Sequence, residues 1–218
     1  MIMRLYGYIW AMQIIHELQD WWHQASWFEI VGAITGFFCV YLASVNNIWN
    51  WPIAIISTAL YVYVFAQKGF YADMLQYIYL CAMSMYGWWF WGRHPKTEDK
   101  VPVVLITKKQ MIVSALIVIV ATPVLGYTLI TFAATLHYDP PAYPYLDSFC
   151  TSCSLVAQVF LARKVLENWI IWFFVDIIYV VMYFRKGLEF TSVLFIAYII
   201  IAINGYFDWR KDYKKQLA

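Results

Sequence analysis

Residues 167–179 read Glu–Asn–Trp–Ile–Ile–Trp–Phe–Phe–Val–Asp–Ile–Ile–Tyr, an almost wholly apolar run with one carboxylate near its middle. Spacings of three and four place Trp169, Trp172, Asp176, Tyr179 and Tyr183 in one stripe of a helix. Two indoles, a carboxylate and two phenols then face the same way. A flat cationic or polar aromatic ligand suits that surface, because its ring stacks and the acid balances charge. In a helix that crosses a bilayer, Asp176 lies near mid-depth, where a charge costs roughly 2.5–3.5 kcal/mol on insertion scales. A group placed there at that cost is the first candidate for contact with a substrate.

On both sides of this run the chain stays apolar. Of its 218 residues 63% are hydrophobic and only 13% charged. A soluble domain carries about a quarter charged residues, so that class is excluded. Seven stretches, near 27–44, 49–66, 71–91, 111–135, 145–162, 167–184 and 188–209, are long enough to cross the hydrocarbon core as helix. The alternating ten-residue segments of a barrel are missing, which leaves a helical bundle as the way to satisfy the backbone in lipid. The expected fold is therefore an all-α membrane protein with seven transmembrane helices. Residues 1–25 mix aromatics with His16, Glu17 and Asp20 at helical spacing and read as an amphipathic helix lying on the membrane surface.

Lysine and arginine are unevenly divided: four lie at the ends facing the N-terminal side and eleven at the opposite ends. The positive-inside rule then puts the N-terminus outside and the C-terminus in the cytoplasm. The cations are dispersed at segment ends, so nothing points to nucleic acid. Cys39, Cys81, Cys150 and Cys153 lie within or beside apolar stretches and read as small packing residues rather than a disulfide framework. No phosphate-binding loop, nucleophile elbow or zinc-protease motif is present, and the four histidines are scattered. The expectation is a protein with no enzymatic activity, cofactor or metal.

Shifted by 118, the sequence aligns with itself without a gap: Asn50–Trp51 falls on Asn168–Trp169, Tyr61 on Tyr179, Lys68–Gly69 on Lys186–Gly187, Gly87 on Gly205 and Trp91 on Trp209. Three spans, a joining span and three more give two parallel repeats, with substrate expected between them near the midplane. The implied division is a surface helix over 1–25, a first repeat over 26–92, a charged linker, linker helix and loop over 93–144, a second repeat over 145–211 and a tail over 212–218. The repeats diverge on the stripe itself, where Ala54 becomes Trp172 and Thr58 becomes Asp176. An asymmetric ligand needs such a difference, so it is placed mainly against the second half. Further polar groups inside spans are Ser57, Thr58, Asp73, Gln76, Tyr79, Ser84, Thr191, Ser192 and Asn204, of which Thr58, Asp73, Gln76 and Asn204 are site candidates. Trp49, Trp88, Trp89, Trp91 and Trp209 lie at segment ends and read as an interfacial belt, whereas Trp172 is deeper and reads as a stacking surface.

The segment SWFEIVGAITGFFCVYLAS at 26–44, Tyr86–Gly87–Trp88, Tyr143–Pro144–Tyr145–Leu146–Asp147–Ser148, Glu167–Asn168–Trp169–x–x–Trp172 and Asn204–Gly205 together resemble the PnuC family of bacterial vitamin transporters. The resemblance spans about 26–211 and implies a three-one-three arrangement related to SWEET sugar transporters. It also implies facilitated diffusion of nicotinamide riboside across the inner membrane, with trapping by a cytoplasmic kinase. Trp169 and Trp172 match the W-x-x-W that lines the family's site, and Asn168 matches its neighbour. This chain departs from nicotinamide riboside carriers at Asp176, where they carry Asn, and at Tyr77, where their glutamine falls one residue after Gln76 here. A carboxylate suits the cationic pyridinium of nicotinamide riboside and equally the thiazolium of thiamine, the alternative cargo. The expected partners are a small-molecule substrate, membrane lipid and that kinase, and the sequence leaves an oligomer open. The expected contacts are Trp169, Trp172, Asp176, Asn168, Tyr179, Thr58, Gln76, Asp73 and Asn204.

Overall fold

The computed structural model describes residues 12, 15, 16, 19, 27–68, 71–93, 101–135, 142–186 and 189–217. The surface helix expected over 1–25 falls outside these apart from four helical positions, and so does most of the 137–144 loop. The described chain is nearly all helical: α1 (Trp27–Ser44), α2 (Asn50–Lys68), α3 (Tyr71–Trp91), α4 (Lys108–Thr135), α5 (Pro144–Ala162), α6 (Asn168–Arg185) and α7 (Glu189–Gln216). Each falls on one of the seven apolar stretches. The last runs on as helix to Gln216, through most of the segment read as a tail, and at 28 residues is about 42 Å long. By length and composition α4, α5, α6 and Thr191–Gln216 of α7 are able to cross a membrane. Helices α2 and α3 are as long, but Tyr61, Tyr63, Tyr77, Tyr79 and Tyr86 lower their hydropathy while supplying broad ring surface.

Six helices close a ring. Going round it, α1 packs on α2, α2 on α3, α3 on α5, α5 on α6, α6 on α7, and α7 back on α1. Helix α4 stands outside and packs on α5, where Gly126 leaves room for the ring of Tyr145. Its Ile112, Leu116, Ile119, Val120 and Val124 are exposed, as side chains that face lipid should be. On α1, Gly32 and Gly36 lie against Tyr61 and Ser57 of α2, and the Ser57 hydroxyl donates to the Gly32 carbonyl at 2.8 Å. Small residues thus bring two backbones close enough for a hydrogen bond inside the bundle.

Contacts on one half of the ring recur 118 residues further on. Trp51 meets Trp91 edge-on at 5.3 Å, and Trp169 meets Trp209 edge-on at 5.6 Å. Tyr61, Phe65 and Tyr77 cluster as Tyr179, Tyr183 and Phe195 do. Asn46 and Lys164, in the short turns before α2 and α6, both adopt left-handed backbone, with φ of 57° and 55°. Asn visits that region readily, whereas Lys pays a steric cost of about 1–2 kcal/mol.

The turn at Lys164 is held from outside. Residues 101–107 cross it in an extended path: Val104 N–H donates to the Lys164 carbonyl, Leu166 N–H donates back to Val104, and Ile106 N–H donates to the Glu167 carboxylate at 2.8 Å. This single parallel bridge is the strand-like pairing among the described residues. The Lys164 ammonium, buried to 2% exposure, lies 4.2 Å from the centre of the Trp91 ring. At the matching turn the Asn46 amide instead donates to Asp212 on the extended end of α7, at 3.0 Å.

The belt reading fails for two tryptophans. Trp49, Trp88 and Trp89 are exposed as expected, but Trp91 and Trp209 are 3% and 0% exposed and sit in the core. They can do so because Gly87 and Gly205, one turn earlier on α3 and α7, receive the rings of Trp51 and Trp169. A Cβ added at Gly87 would stand 2.5 Å from the Trp51 ring, and one at Gly205 2.8 Å from that of Trp169. Gly205→Ala and Gly87→Ala should each destabilise the protein by about 1–3 kcal/mol through overpacking, read as a lower melting temperature in detergent. Alanine at Gly92, whose added Cβ meets only neighbouring carbonyls at 3.3 Å or more, should change it far less.

Candidate functional site

The ring encloses a cavity of about 700 Å³, within the usual size of small-molecule sites. All six ring helices line it, and α4 does not. Its walls are chiefly aromatic and aliphatic: Phe37, Tyr61, Tyr77, Trp172, Phe195 and Tyr198 carry most of the ring surface. Among the lining residues Asp176 is the one charged side chain, and no Lys, Arg or His joins it. It is 5% exposed, and no hydrogen bond or salt bridge among the described residues engages its carboxylate. A polar ligand entering here meets an unpaired acid between stacking surfaces.

The helical stripe of α6 divides at this point. Trp169, Trp172 and Asp176 line the cavity, whereas Tyr179 packs tilted on Phe195 at 5.0 Å, Tyr183 stacks on it at 5.3 Å, and neither phenol is part of the wall. Thr58, the position matching Asp176 on α2, also lines it, with its hydroxyl donating to the Ala54 carbonyl at 2.7 Å. Asn168 is fully buried beside the cavity, its amide donating to the Val165 carbonyl at 2.7 Å and so bracing the turn into α6. Gln76 is half-buried on α3 and Asn204 is exposed on α7; neither lines the cavity, although Tyr77 does. Asp73 belongs to the first turn of α3, and its side chain lies outside the described ones. Ser57, Ser84 and Thr191, polar positions inside the expected spans, also line the cavity, and the lining groups not anticipated are Asn50, Gln158 and Tyr198. The 118-residue frame carried a signal for Asn50, the counterpart of Asn168; nothing in the spacing of α5 singled out Gln158.

One end of the cavity is closed by a chain of four indoles, Trp51–Trp91–Trp209–Trp169, with ring centres 5.3, 5.7 and 5.6 Å apart. Two of them also tie the halves together. Trp91 Nε1–H donates to the carbonyl of Ala162 at the end of α5, and Trp209 Nε1–H donates to that of Ala43 at the end of α1, both at 3.1 Å. One falls at the α3–α5 contact, where the Tyr79 hydroxyl also donates to the Leu155 carbonyl at 3.0 Å, and the other at the α7–α1 contact, where Phe37 also meets Tyr198.

A closed ring of apolar helices around a central, largely apolar cavity is the architecture of a membrane protein that takes up a small molecule. The chain matches the family model described as nicotinamide mononucleotide transporter over residues 26–211, and it belongs to that family. It is 30% identical over 206 residues to the nicotinamide riboside transporter PnuC of Escherichia coli, covering 86% of each chain. It is 27% identical to the nicotinamide riboside transporter PnuC of Neisseria mucosa, over 87% of this chain and 74% of that one. It is also 27% identical to the riboflavin/roseoflavin transporter RibM of Streptomyces davaonensis, over 84% of each. A crystal structure of the vitamin B3 transporter PnuC shares the fold, with a TM-score of 0.65 at 24% identity over 94% of this chain and 90% of that one. This protein is accordingly a transmembrane transporter and not an enzyme.

The indole bonds across the ring give a direct test. Trp91→Phe keeps a ring but leaves the Ala162 carbonyl without its donor, at about 1–3 kcal/mol, whereas Trp209→Phe leaves Ala43 its second bond, from Asn46 N–H at 3.0 Å, and costs less. Each should speed backbone hydrogen exchange in the turn it frees, near 162–166 or 43–47, while exchange in α4 stays unchanged.

Proposed function

We propose that this protein carries nicotinamide riboside across the bacterial inner membrane by facilitated diffusion, with a cytoplasmic kinase trapping the product. The observation that carries the reading is the unpaired Asp176 beside Trp172 in a cavity wall that holds no cation. A pyridinium ring is flat and positively charged, so it gains stacking from Trp172 and charge balance from Asp176, with Trp169 lining the wall toward the indole end. Thr58 contributes a hydroxyl from the opposite half, and Asn168 and Tyr179 hold the turn and the outer part of α6. Relatives described as nicotinamide riboside transporters support the same cargo. A phosphate-bearing nucleotide would bring negative charge to a wall whose one formal charge is also negative, and a neutral flavin would draw nothing from Asp176.

The recurrence of contacts at 118 residues supports two parallel three-helix units, α1–α3 and α5–α7, joined by α4. In this reading the units rock about their two shared contacts to give alternating access around a midplane site. The N-terminus lies outside and the C-terminus inside, so the indole-closed end faces the cytoplasm, and inward opening parts the Trp91–Ala162 and Trp209–Ala43 bonds. Thiamine is the second reading, favoured by the same acid, because its thiazolium is cationic too.

Tryptophan fluorescence of the purified protein, titrated with nicotinamide riboside, thiamine, riboflavin and nicotinamide mononucleotide, tests the cargo. Nicotinamide riboside should bind tightest and the mononucleotide at least about tenfold more weakly, a difference of about 1.4 kcal/mol. Asp176→Asn should lower affinity for the cationic ligand by a similar factor and leave riboflavin unaffected. Binding of thiamine alone would replace the substrate while keeping the site. In liposomes without any kinase, uptake should stop at equal concentrations and ignore a protonophore; uptake that collapses with the protonophore would mean proton coupling instead.

A further inference from the structure

At the closed end of the cavity, five buried side-chain atoms have no hydrogen-bond partner among the described residues: Asn50 Nδ2 and Oδ1, Trp51 Nε1, Trp169 Nε1 and Asn168 Oδ1. Asn50, Trp51 and Trp169 all line the cavity, and each is 1–2% exposed. Buried polar groups are nearly always paired, because an unpaired one keeps its full desolvation cost. A cluster of them around one end of a cavity is a set of groups waiting for a partner.

The two halves treat the same position differently. Asn168 spends its amide on the Val165 carbonyl three residues earlier, bracing its turn. Asn50 has the equivalent carbonyl of Asn47 within its own turn, yet that oxygen accepts the Asn50 backbone N–H, at 3.2 Å, and not its side-chain amide. The Asn47 side chain meanwhile closes the turn by accepting from Trp49 N–H at 3.0 Å. The first half therefore leaves a whole carboxamide, donor and acceptor together, at the cavity wall. The tryptophans divide in the same way. Trp91 and Trp209 spend their N–H groups on backbone carbonyls, while Trp51 and Trp169, in contact with them, spend theirs on nothing.

We propose that Asn50, with the indole N–H groups of Trp51 and Trp169, forms a second polar subsite that binds an uncharged hydroxyl or carboxamide of the transported molecule. This rests on the carrier reading above, in which the cationic ring occupies the level of Asp176. Asn50 lies eight residues before Thr58, the counterpart of Asp176, which separates the two levels by about 12 Å along the helices. One end of the cavity thus holds charge and the other holds hydrogen bonds. Asn50 is in this scheme a specificity-determining residue, selecting cargo with a neutral donor–acceptor group beyond its cationic ring.

Asn50→Leu and Asn50→Ala test this, with nicotinamide riboside and 1-methylnicotinamide as probes; the second keeps the cationic ring and carboxamide and lacks the ribose. Leucine is close to asparagine in shape and removes both unpaired atoms, so the ligand-free Asn50→Leu protein should melt at the same temperature as wild type or higher. Its affinity for nicotinamide riboside should nevertheless fall at least about tenfold, the loss expected for one good buried hydrogen-bonding group. If 1-methylnicotinamide binds both proteins equally, the subsite holds ribose hydroxyls; if its affinity falls in parallel, the subsite holds the carboxamide. Affinity for nicotinamide riboside within twofold of wild type in both variants would overturn the proposal, as would Asn50→Leu melting lower with unchanged affinity. Failure of the wild-type protein to bind nicotinamide riboside would instead overturn the cargo, and the two variants would then be compared with thiamine as the probe.

Discussion

Two hydrogen bonds from indoles to backbone carbonyls carry the ring. In lipid there is no hydrophobic force to press one apolar helix on another, so association rests on close packing and on polar groups that find partners. The carbonyls at the ends of α1 and α5 need donors from beyond the helix, and Ala43 takes one from Asn46 N–H in the following turn. Trp209 supplies one to Ala43, and Trp91 supplies one to Ala162. Each bond reaches from the last helix of one half to the first helix of the other. The glycines at 87 and 205 belong to the same device, since they make room for the rings of Trp51 and Trp169 against Trp91 and Trp209. The cavity exists because four large rings meet at one end and leave the space beyond them unfilled.

The two turns at that end are built on the same backbone plan and secured by different means. Lys164 holds a left-handed conformation that its side chain does not favour, and the extended segment 101–107 fastens both sides of it through backbone hydrogen bonds. Its ammonium over the Trp91 ring links that turn to the indole chain. Asn46 takes the same conformation at less cost and is fastened by Asp212. Residues 101–107, within the stretch read from sequence as a charged linker, thus brace this turn, and the extension of α7 has a partner to reach.

The helices were legible because apolar length is an unambiguous signal in a chain with so few charges. The α6 stripe was legible for its first half alone. Over Trp169, Trp172 and Asp176 the three-and-four spacing keeps one face toward the cavity, but by Tyr183 the same rule has run four turns. Drift of the 3.6-residue period and the packing of α7 against α6 then deliver the phenols to Phe195. Trp91 and Trp209 were misread because an aromatic at the end of a span looks the same in sequence whether it meets headgroups or a neighbouring helix. What distinguishes them is a glycine four residues earlier in each case, a signal that has meaning only once the opposing indole is known. Asn204 and Gln76 attracted attention as polar residues in apolar runs, and the structure puts them away from the cavity wall.

In the proposed two-repeat arrangement an approximate two-fold axis runs through the cavity, and Asp176 has Thr58, 118 residues earlier on the same wall, as its mate across that axis. A dimer of two identical half-length chains would have to place either two acids or none around the same axis. Two carboxylates facing one small apolar space would repel, share a proton and accept a dication at best; none would leave nothing for a cation to prefer. Joining both halves in one polypeptide is what allows an odd number of charges at a symmetric centre. A single acid at such a centre is thus a question of stoichiometry, answered by covalent linkage.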